Sequence, residues 1–234
     1  MEVPVMVVEN TAPSPLKRKP VENDLETNFQ NAKRCRSSSV AATKAAPITT
    51  TPVDLAFQLF KENGHDMRAI DLAKQLPFGK PTPEMISAYE PSKISLVRMM
   101  DLEGVRTMHS KGASFNACNR FGESLIHMAS RRGCKDMVEF LVKEAKVSLF
   151  VRDDYGRNVL HDAFWTAEPN FELITLLIGE VPEFLCVRDV RGHTPLDYVR
   201  KGDFAAWCDF LRKNKAMLVP RIVDCAETTQ PKLP

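Results

Sequence analysis

Several features that would announce a chemistry are missing from this 234-residue chain. Its six cysteines, Cys35, Cys118, Cys134, Cys186, Cys208 and Cys225, are scattered singly and form no C-x-x-C pair. Such usage fits a reducing compartment and argues against a disulfide-stapled secreted domain. No apolar run approaches the roughly 18 residues a membrane helix needs. The N-terminal stretch VPVMVV is short, contains proline and follows Glu2, where a secretory signal would carry positive charge. An intracellular, soluble protein is therefore expected. There is no phosphate-cradling glycine loop, no G-x-S-x-G and no H-E-x-x-H. Charge of one sign is lacking too: the net value is +2, and residues 1–50 hold seven Lys/Arg against five Asp/Glu. The remaining 184 residues balance, so the excess belongs to the N-terminal fifth and not to a basic binding face.

What is present begins with two basic clusters, LKRK at 16–19 and AKRCR at 32–36. Residues 1–50 are otherwise rich in Pro, Ser, Thr and Ala without helical or strand periodicity, which predicts a disordered tail. The pair Lys17, Arg18, Lys19 and Lys33, Arg34, Arg36 resembles a bipartite nuclear-import signal, whose two cationic patches would fill acidic grooves of an import receptor. The alternative is a solvated basic tail. Phosphorylation at Ser37–Ser39 would place negative charge beside the second cluster and weaken it. Nucleus is the expected location, with cytoplasm as the alternative.

Helical signals start at residue 51. Thr51-Pro52 reads as an N-cap followed by proline at the first helical position. Val53, Ala56, Phe57, Leu59 and Phe60 then fall at helical spacing, and Asn63-Gly64 ends the run. A second helical run is expected over Met67–Leu76. Thr82-Pro83 opens a short helix, and Ser92 is expected to cap another over Lys93–Met100. Residues 51–92 are thus predicted to be a helical capping region.

From there the chain repeats itself. FGESLIHMAS (121–130), YGRNVLHDAF (155–164) and RGHTPLDYVR (191–200) align, with Gly122, Gly156 and Gly192 at intervals of 34 and 36. Two residues after each glycine stands a good N-cap, Ser124, Asn158 or Thr194. The apolar residues Ile126, Leu160 and Leu196 follow. Each start leads to a second apolar helical run, MVEFLV (137–142), FELITLLI (171–178) and FAAWCDFL (204–211). The pattern resembles the ankyrin repeat, a glycine turn, T-P-L-H-x-A and two antiparallel helices in about 33 residues. It covers residues 93–213, with a degenerate first unit over 93–119. The resemblance implies an all-α solenoid of stacked helix-turn-helix units, N-terminal capping helices packed on its N-terminal end, and a tail over 214–234.

The histidines at the signature position, His127 and His161, would in this family bond to backbone between adjacent repeats. A His161–Asp162 catalytic pair is disfavoured, because neighbours in a helix diverge by about 100°. Cys118, His127 and Cys134 match no zinc spacing. No enzyme activity, cofactor or metal is expected.

The resemblance points instead to another protein as partner, bound by loop tips and inner helices. The tips carry Arg120, Phe121, Asp154, Tyr155, Val190 and Arg191. The inner helices would expose Met128, Arg131, Asp162, Trp165, Thr166, Tyr198 and Lys201. Aromatic, Met and Arg side chains are favoured in interface hot spots. Phe121 and Tyr155 either anchor a partner or pack against neighbouring tips. The turn AEPN (167–170) is longer than the family's usual one and leaves Trp165 at its helix end. The chain is expected to be a monomer, with no membrane contact and no direct nucleic-acid contact. The competing reading is a nuclear transcription regulator, its repeats recruiting a transcription factor and its tail touching nucleic acid.

Overall fold

Helix ends in this chain are set by side chains that satisfy orphan backbone donors. In the computed structural model, which describes residues 50–166 and 168–221, α1 runs Pro52–Glu62. Its first turn is capped by the Thr51 hydroxyl, which accepts from the Asp54 N–H at 3.1 Å. Gly64, at φ 91°, turns the chain after it. The expected helix over Met67–Leu76 shrinks to one turn, α2, Leu72–Gln75. The Asp66 carboxylate accepts from the Arg68 N–H at 3.2 Å, a local bond that competes with helix formation. Thr82 caps α3, Pro83–Ser87. The helix assigned to Lys93–Met100 is α4, Pro91–Met99, and its N-cap is Glu90 rather than Ser92 because Pro91 takes the first helical position. The basic clusters and the expected disorder of the N-terminal tail lie outside the described residues, as does the tail beyond residue 221.

α4 and α5 (Leu102–Ser110) form the first two-helix unit. The second is α6 (Leu125–Arg131) with α7 (Lys135–Lys143), and the third is α8 (Val159–Ala163) with α9 (Phe171–Glu180). In the fourth, a 3₁₀ turn at Pro195–Tyr198 replaces the expected first helix, and α10 spans Phe204–Lys213. That first element stops after one turn because Val199 and Arg200 go extended and Gly202 follows. The inner elements stack in order, α4 on α6, α6 on α8, and α8 on the 195–198 turn. Their small and branched residues, Ile126, Ala129, Leu160 and Ala163, are buried between units. No unit could bury both its faces alone. Among the described residues there is no strand, only an isolated bridge between Cys118 and Ser124.

α1 was expected on the N-terminal end of the stack. It packs instead on α10 and the 195–198 turn, at the opposite end. Asn63 Nδ2 donates to the Leu218 carbonyl at 2.7 Å, and the Cys208 thiol to the Thr50 carbonyl at 3.8 Å. A last repeat has no neighbour to cover it, so its apolar side needs another cover. Leu55, Ala56, Leu59 and Phe60, all buried, supply one. Burial of a ring such as Phe60 contributes about 2–3 kcal/mol.

Between α1 and α4 the chain runs back along the array. Arg152 donates to the Ala73 carbonyl at 3.4 Å, and the Gly79 N–H to the Phe150 carbonyl at 2.9 Å. The Phe78 ring stacks on Phe184 with centroids 5.7 Å apart and meets Phe150 edge-on at 6.1 Å. The Cys118 N–H then reaches the Met85 carbonyl at 3.1 Å, at the first repeat.

Candidate protein-binding surface

Each loop tip is held by one side chain that the sequence reading passed over. Asn119 Oδ1 accepts from the N–H groups of Phe121 (2.9 Å) and Glu123 (3.1 Å). Asp153 Oδ1 does the same for Tyr155 (3.0 Å) and Arg157 (2.9 Å), and Asp189 Oδ1 for Arg191 (2.8 Å) and His193 (2.9 Å). The signal was available: an Asn or Asp stands three residues before each repeat glycine, at the same period. Those glycines sit at φ 80°, 74° and 83°. At Gly122 a Cβ would also run into the Arg152 carbonyl oxygen, so both conformation and space demand glycine there. Adjacent tips are joined where the Val190 N–H donates to the Tyr155 carbonyl at 2.9 Å.

The signature histidines connect repeats. His127 Nε2–H donates to the Arg157 carbonyl at 3.2 Å, while its Nδ1 faces the Ser124 N–H at 3.3 Å and hydroxyl at 2.8 Å. His161 repeats this one unit on, with Nε2–H to the His193 carbonyl at 3.2 Å and Nδ1 accepting from the Asn158 N–H at 3.2 Å. Burial pushes His161 down to about 4, against the opposing pull of the His193 carbonyl. A histidine with both nitrogens committed and held neutral is a structural linker. In the last unit Asp197 stands in its place and caps Thr194 alone, accepting from its N–H at 2.7 Å and hydroxyl at 2.8 Å.

The candidate contact residues divide by exposure. Arg120, Arg131, Asp154, Tyr155 and Arg191 are exposed, and Phe121, Met128, Trp165 and Tyr198 are half-buried. Asp162 is a correction: expected on the exposed inner face, it is only 2% exposed. Arg131 of the preceding repeat covers it, with Nε and Nη2 reaching its two oxygens at 3.2 and 3.0 Å, and Arg131 also pairs with Glu123 at 3.0 Å. The divergence of His161 and Asp162 is as expected, one reaching forward to the next repeat and the other back to the previous one.

Two groupings emerge on this face. At the tips, the Arg120 guanidinium lies 4.7 Å over Phe121 and Arg157 lies 5.1 Å over Tyr155. Further along, the Trp165 and Tyr198 rings are 5.7 Å apart. The Tyr198 hydroxyl donates to Asp189 Oδ2 at 2.6 Å and accepts from Arg191 Nη2 at 2.7 Å. Burial first, then the adjacent carboxylate, raise that phenol to about 12. Thr166 is half-buried and donates to the Glu168 carbonyl at 2.7 Å, and Lys201 is exposed. Among the described residues no helix is long and apolar enough to cross a membrane.

The family model described as ankyrin repeats, in three copies, matches residues 94–189. Those residues form an ankyrin-repeat domain. The chain is similar to a putative ankyrin repeat protein of Rickettsia bellii, 29% identical over 98 residues, which are 41% of this chain and 52% of that protein. The chain is also similar to the E3 ubiquitin-protein ligase Ufd4 of Drosophila melanogaster, 31% identical over 109 residues, 46% of this chain and 4% of the ligase. A putative glutaminase of Caenorhabditis elegans shares 31% identity over 68 residues, 29% of this chain and 11% of that protein. The chain thus spans about half of the first relative and small fractions of the other two. Ankyrin repeats are a protein-interaction architecture.

Proposed function

We propose that the chain is a non-catalytic adaptor, acting in the nucleus, that binds another protein through its ankyrin tips and inner helices. The observation that carries this reading is a row of large side chains held on fixed backbone. Tyr155 is 41% exposed at a tip whose turn is fixed by Asp153, and Trp165 rests against Tyr198 one repeat on. Rigid aromatic surface loses little conformational freedom on binding. Affinity purification of the wild type against Phe121→Ala/Tyr155→Ala/Trp165→Ala tests it. A partner retained at full occupancy by the triple variant removes this interface.

The nuclear part rests on Lys17, Arg18, Lys19, Lys33, Arg34 and Arg36. Lys33→Ala/Arg34→Ala/Arg36→Ala should shift a fluorescent fusion into the cytoplasm, and a variant that stays nuclear counts against import. The same basic residues favour a second reading, in which the tail touches nucleic acid while the repeats recruit a transcription factor. That reading requires a salt-dependent DNA affinity that disappears when residues 1–50 are deleted.

A further inference from the structure

At each of the three loop tips a guanidinium lies over an aromatic ring. Arg120 stands 4.7 Å over Phe121, Arg157 5.1 Å over Tyr155 and Arg191 6.0 Å over Tyr198. A ring holds a guanidinium by its face, which fixes the group and leaves its N–H edges to meet a planar acceptor. The backbone under each pair is fixed as well, by Asn119, Asp153 and Asp189.

The acids of the tips face inward. Asp153 accepts from two backbone N–H groups and from Arg157, and Asp189 from two backbone N–H groups and the Tyr198 hydroxyl. Their side chains are 4% and 0% exposed, against 22% for Arg157 and 50% for Arg191. Glu123 is turned to Asn119 and Arg131. Arg157 binds Asp153 through Nε and Nη2, which leaves Nη1 for another acceptor, and Arg191 uses Nη2 on Tyr198 and likewise keeps Nη1. Arg120 is exposed and forms no ion pair among the described residues. In residues 119–123, 153–157 and 189–193 the exposed acid is Asp154 alone. Carboxylates lie inside and guanidinium edges outside, so a ligand meets donors in search of acceptors. A nucleic acid is held by net positive charge, and three arginines against four acids in these tips supply none. A protein segment can set single carboxylates on single guanidiniums and keep clear of Asp154. Adjacent repeats lie about 10 Å apart and an extended chain advances about 3.3 Å per residue, so every third residue of it comes level with a new tip.

We infer that the loop tips seat an acidic, extended segment of another protein, with its carboxylates on the Arg120, Arg157 and Arg191 guanidiniums at about every third residue. This deepens the proposed adaptor function and rests on it, because it names the partner's chemistry at the tips.

Phage-displayed random dodecapeptides selected on the full chain provide the test. Asp and Glu should be enriched, about three residues apart. The enriched peptides, fluorescently labelled and titrated by anisotropy, should lose affinity several-fold between about 0.05 and about 0.5 M salt. Arg120→Gln and Arg191→Gln should each weaken binding by about fivefold or more. Arg120→Lys, which keeps the charge without the planar fork, should restore only part of it. Asp154→Asn should tighten binding about twofold by removing the exposed acid. Trp165→Ala should leave these peptides bound. Circular dichroism melts verify that each variant is folded, and the Arg120 results stand even if Arg191→Gln is not, since Arg120 has no ion pair to lose. Selection of neutral or basic peptides, salt-independent affinity or a library that yields no binder overturns the inference. So does binding unchanged by both arginine-to-glutamine variants. A labelled oligothymidylate bound as tightly as the peptides, and lost on the same variants, assigns the tips to phosphates and overturns it too. A cellular partner kept by Arg120→Gln/Arg191→Gln but lost on Phe121→Ala/Tyr155→Ala/Trp165→Ala overturns the acidic segment and leaves the adaptor reading standing. A partner kept by both removes both.

Discussion

The third and fourth repeats are built from the same sequence pattern and solve different problems. In the third, His161 closes its own helix start with Nδ1 and reaches the His193 carbonyl of the next unit with Nε2. In the fourth, Asp197 closes Thr194 and reaches no further. A carboxylate caps as well as an imidazole does, but only the imidazole presents a second nitrogen on its far side. The signature histidine is therefore worth having where another repeat follows, and the terminal unit does without it. What the terminal unit lacks in a following repeat it receives from α1, which lies against α10.

The largest effect should come from removing that cover. Phe60 is fully buried, and Phe60→Ala should cost about 3–5 kcal/mol in urea unfolding. Amide exchange in that variant should accelerate over 195–213 before it does over 125–143. Uniform acceleration would mean that the last repeat does not depend on α1 more than the middle ones do.

Arg131→Ala attacks the seam between the second and third repeats. It leaves the Asp162 carboxylate buried without its guanidinium, at a cost of about 3 kcal/mol, and adding Asp162→Asn should recover part of the loss. A double variant no more stable than Arg131→Ala would show that packing, not charge, makes that seam.

Protonation separates the two repeats without mutating either. The folded value of His161, about 4, lies below its ordinary 6.5, so the folded state resists the proton that the unfolded chain accepts. Its stability contribution is intact above pH 6.5 and declines as pH falls toward 4. Between pH 7 and pH 5 that decline is about 2 kcal/mol. His161→Gln should flatten the denaturation midpoint over this range relative to the wild type. Equal slopes for the two proteins would place the pH dependence elsewhere.

Asp197→Ala should cost only about 1 kcal/mol, the value of a lost cap, and Asp197→His should gain nothing, since no carbonyl of a later unit awaits its Nε2. Calorimetric melting of the two variants checks both statements. Smallest of all, Tyr155→Ala should change the urea-unfolding free energy by no more than about 0.5 kcal/mol while weakening partner capture, because its ring is exposed at a tip held by the Asp153 side chain. A large stability loss there would assign Tyr155 to packing between tips.

The stacked units were legible because the repeat writes its own grammar: glycine, a cap two residues on, an apolar pair, then a second apolar run. Thr51 and Thr82 were readable as caps for the same local reason. The position of α1 was not readable. Periodicity marks Leu55, Ala56, Leu59 and Phe60 as one apolar stripe, but a stripe of that kind fits either exposed end of a stack. Asp162 was misplaced because its burial is caused by Arg131, a residue 31 positions earlier, and no local pattern encodes that reach. The tip-holding Asn119, Asp153 and Asp189 were periodic and went unnoticed beside the more conspicuous glycines. Within the candidate site, Trp165 was singled out by the unusual turn, whereas its ring contact with Tyr198 depends on where the fourth unit's inner element stops.

Repeat arrays ordinarily assemble by neighbours, each unit closing on the one just made. Here Asn63 waits for a carbonyl 152 residues downstream. During synthesis α1 leaves the ribosome long before α10 exists, and its apolar stripe has no surface to cover until nearly the whole array has been translated. The contact joins the earliest described helix to the latest, so a stack of short-range units acquires one long-range closure and raises its contact order.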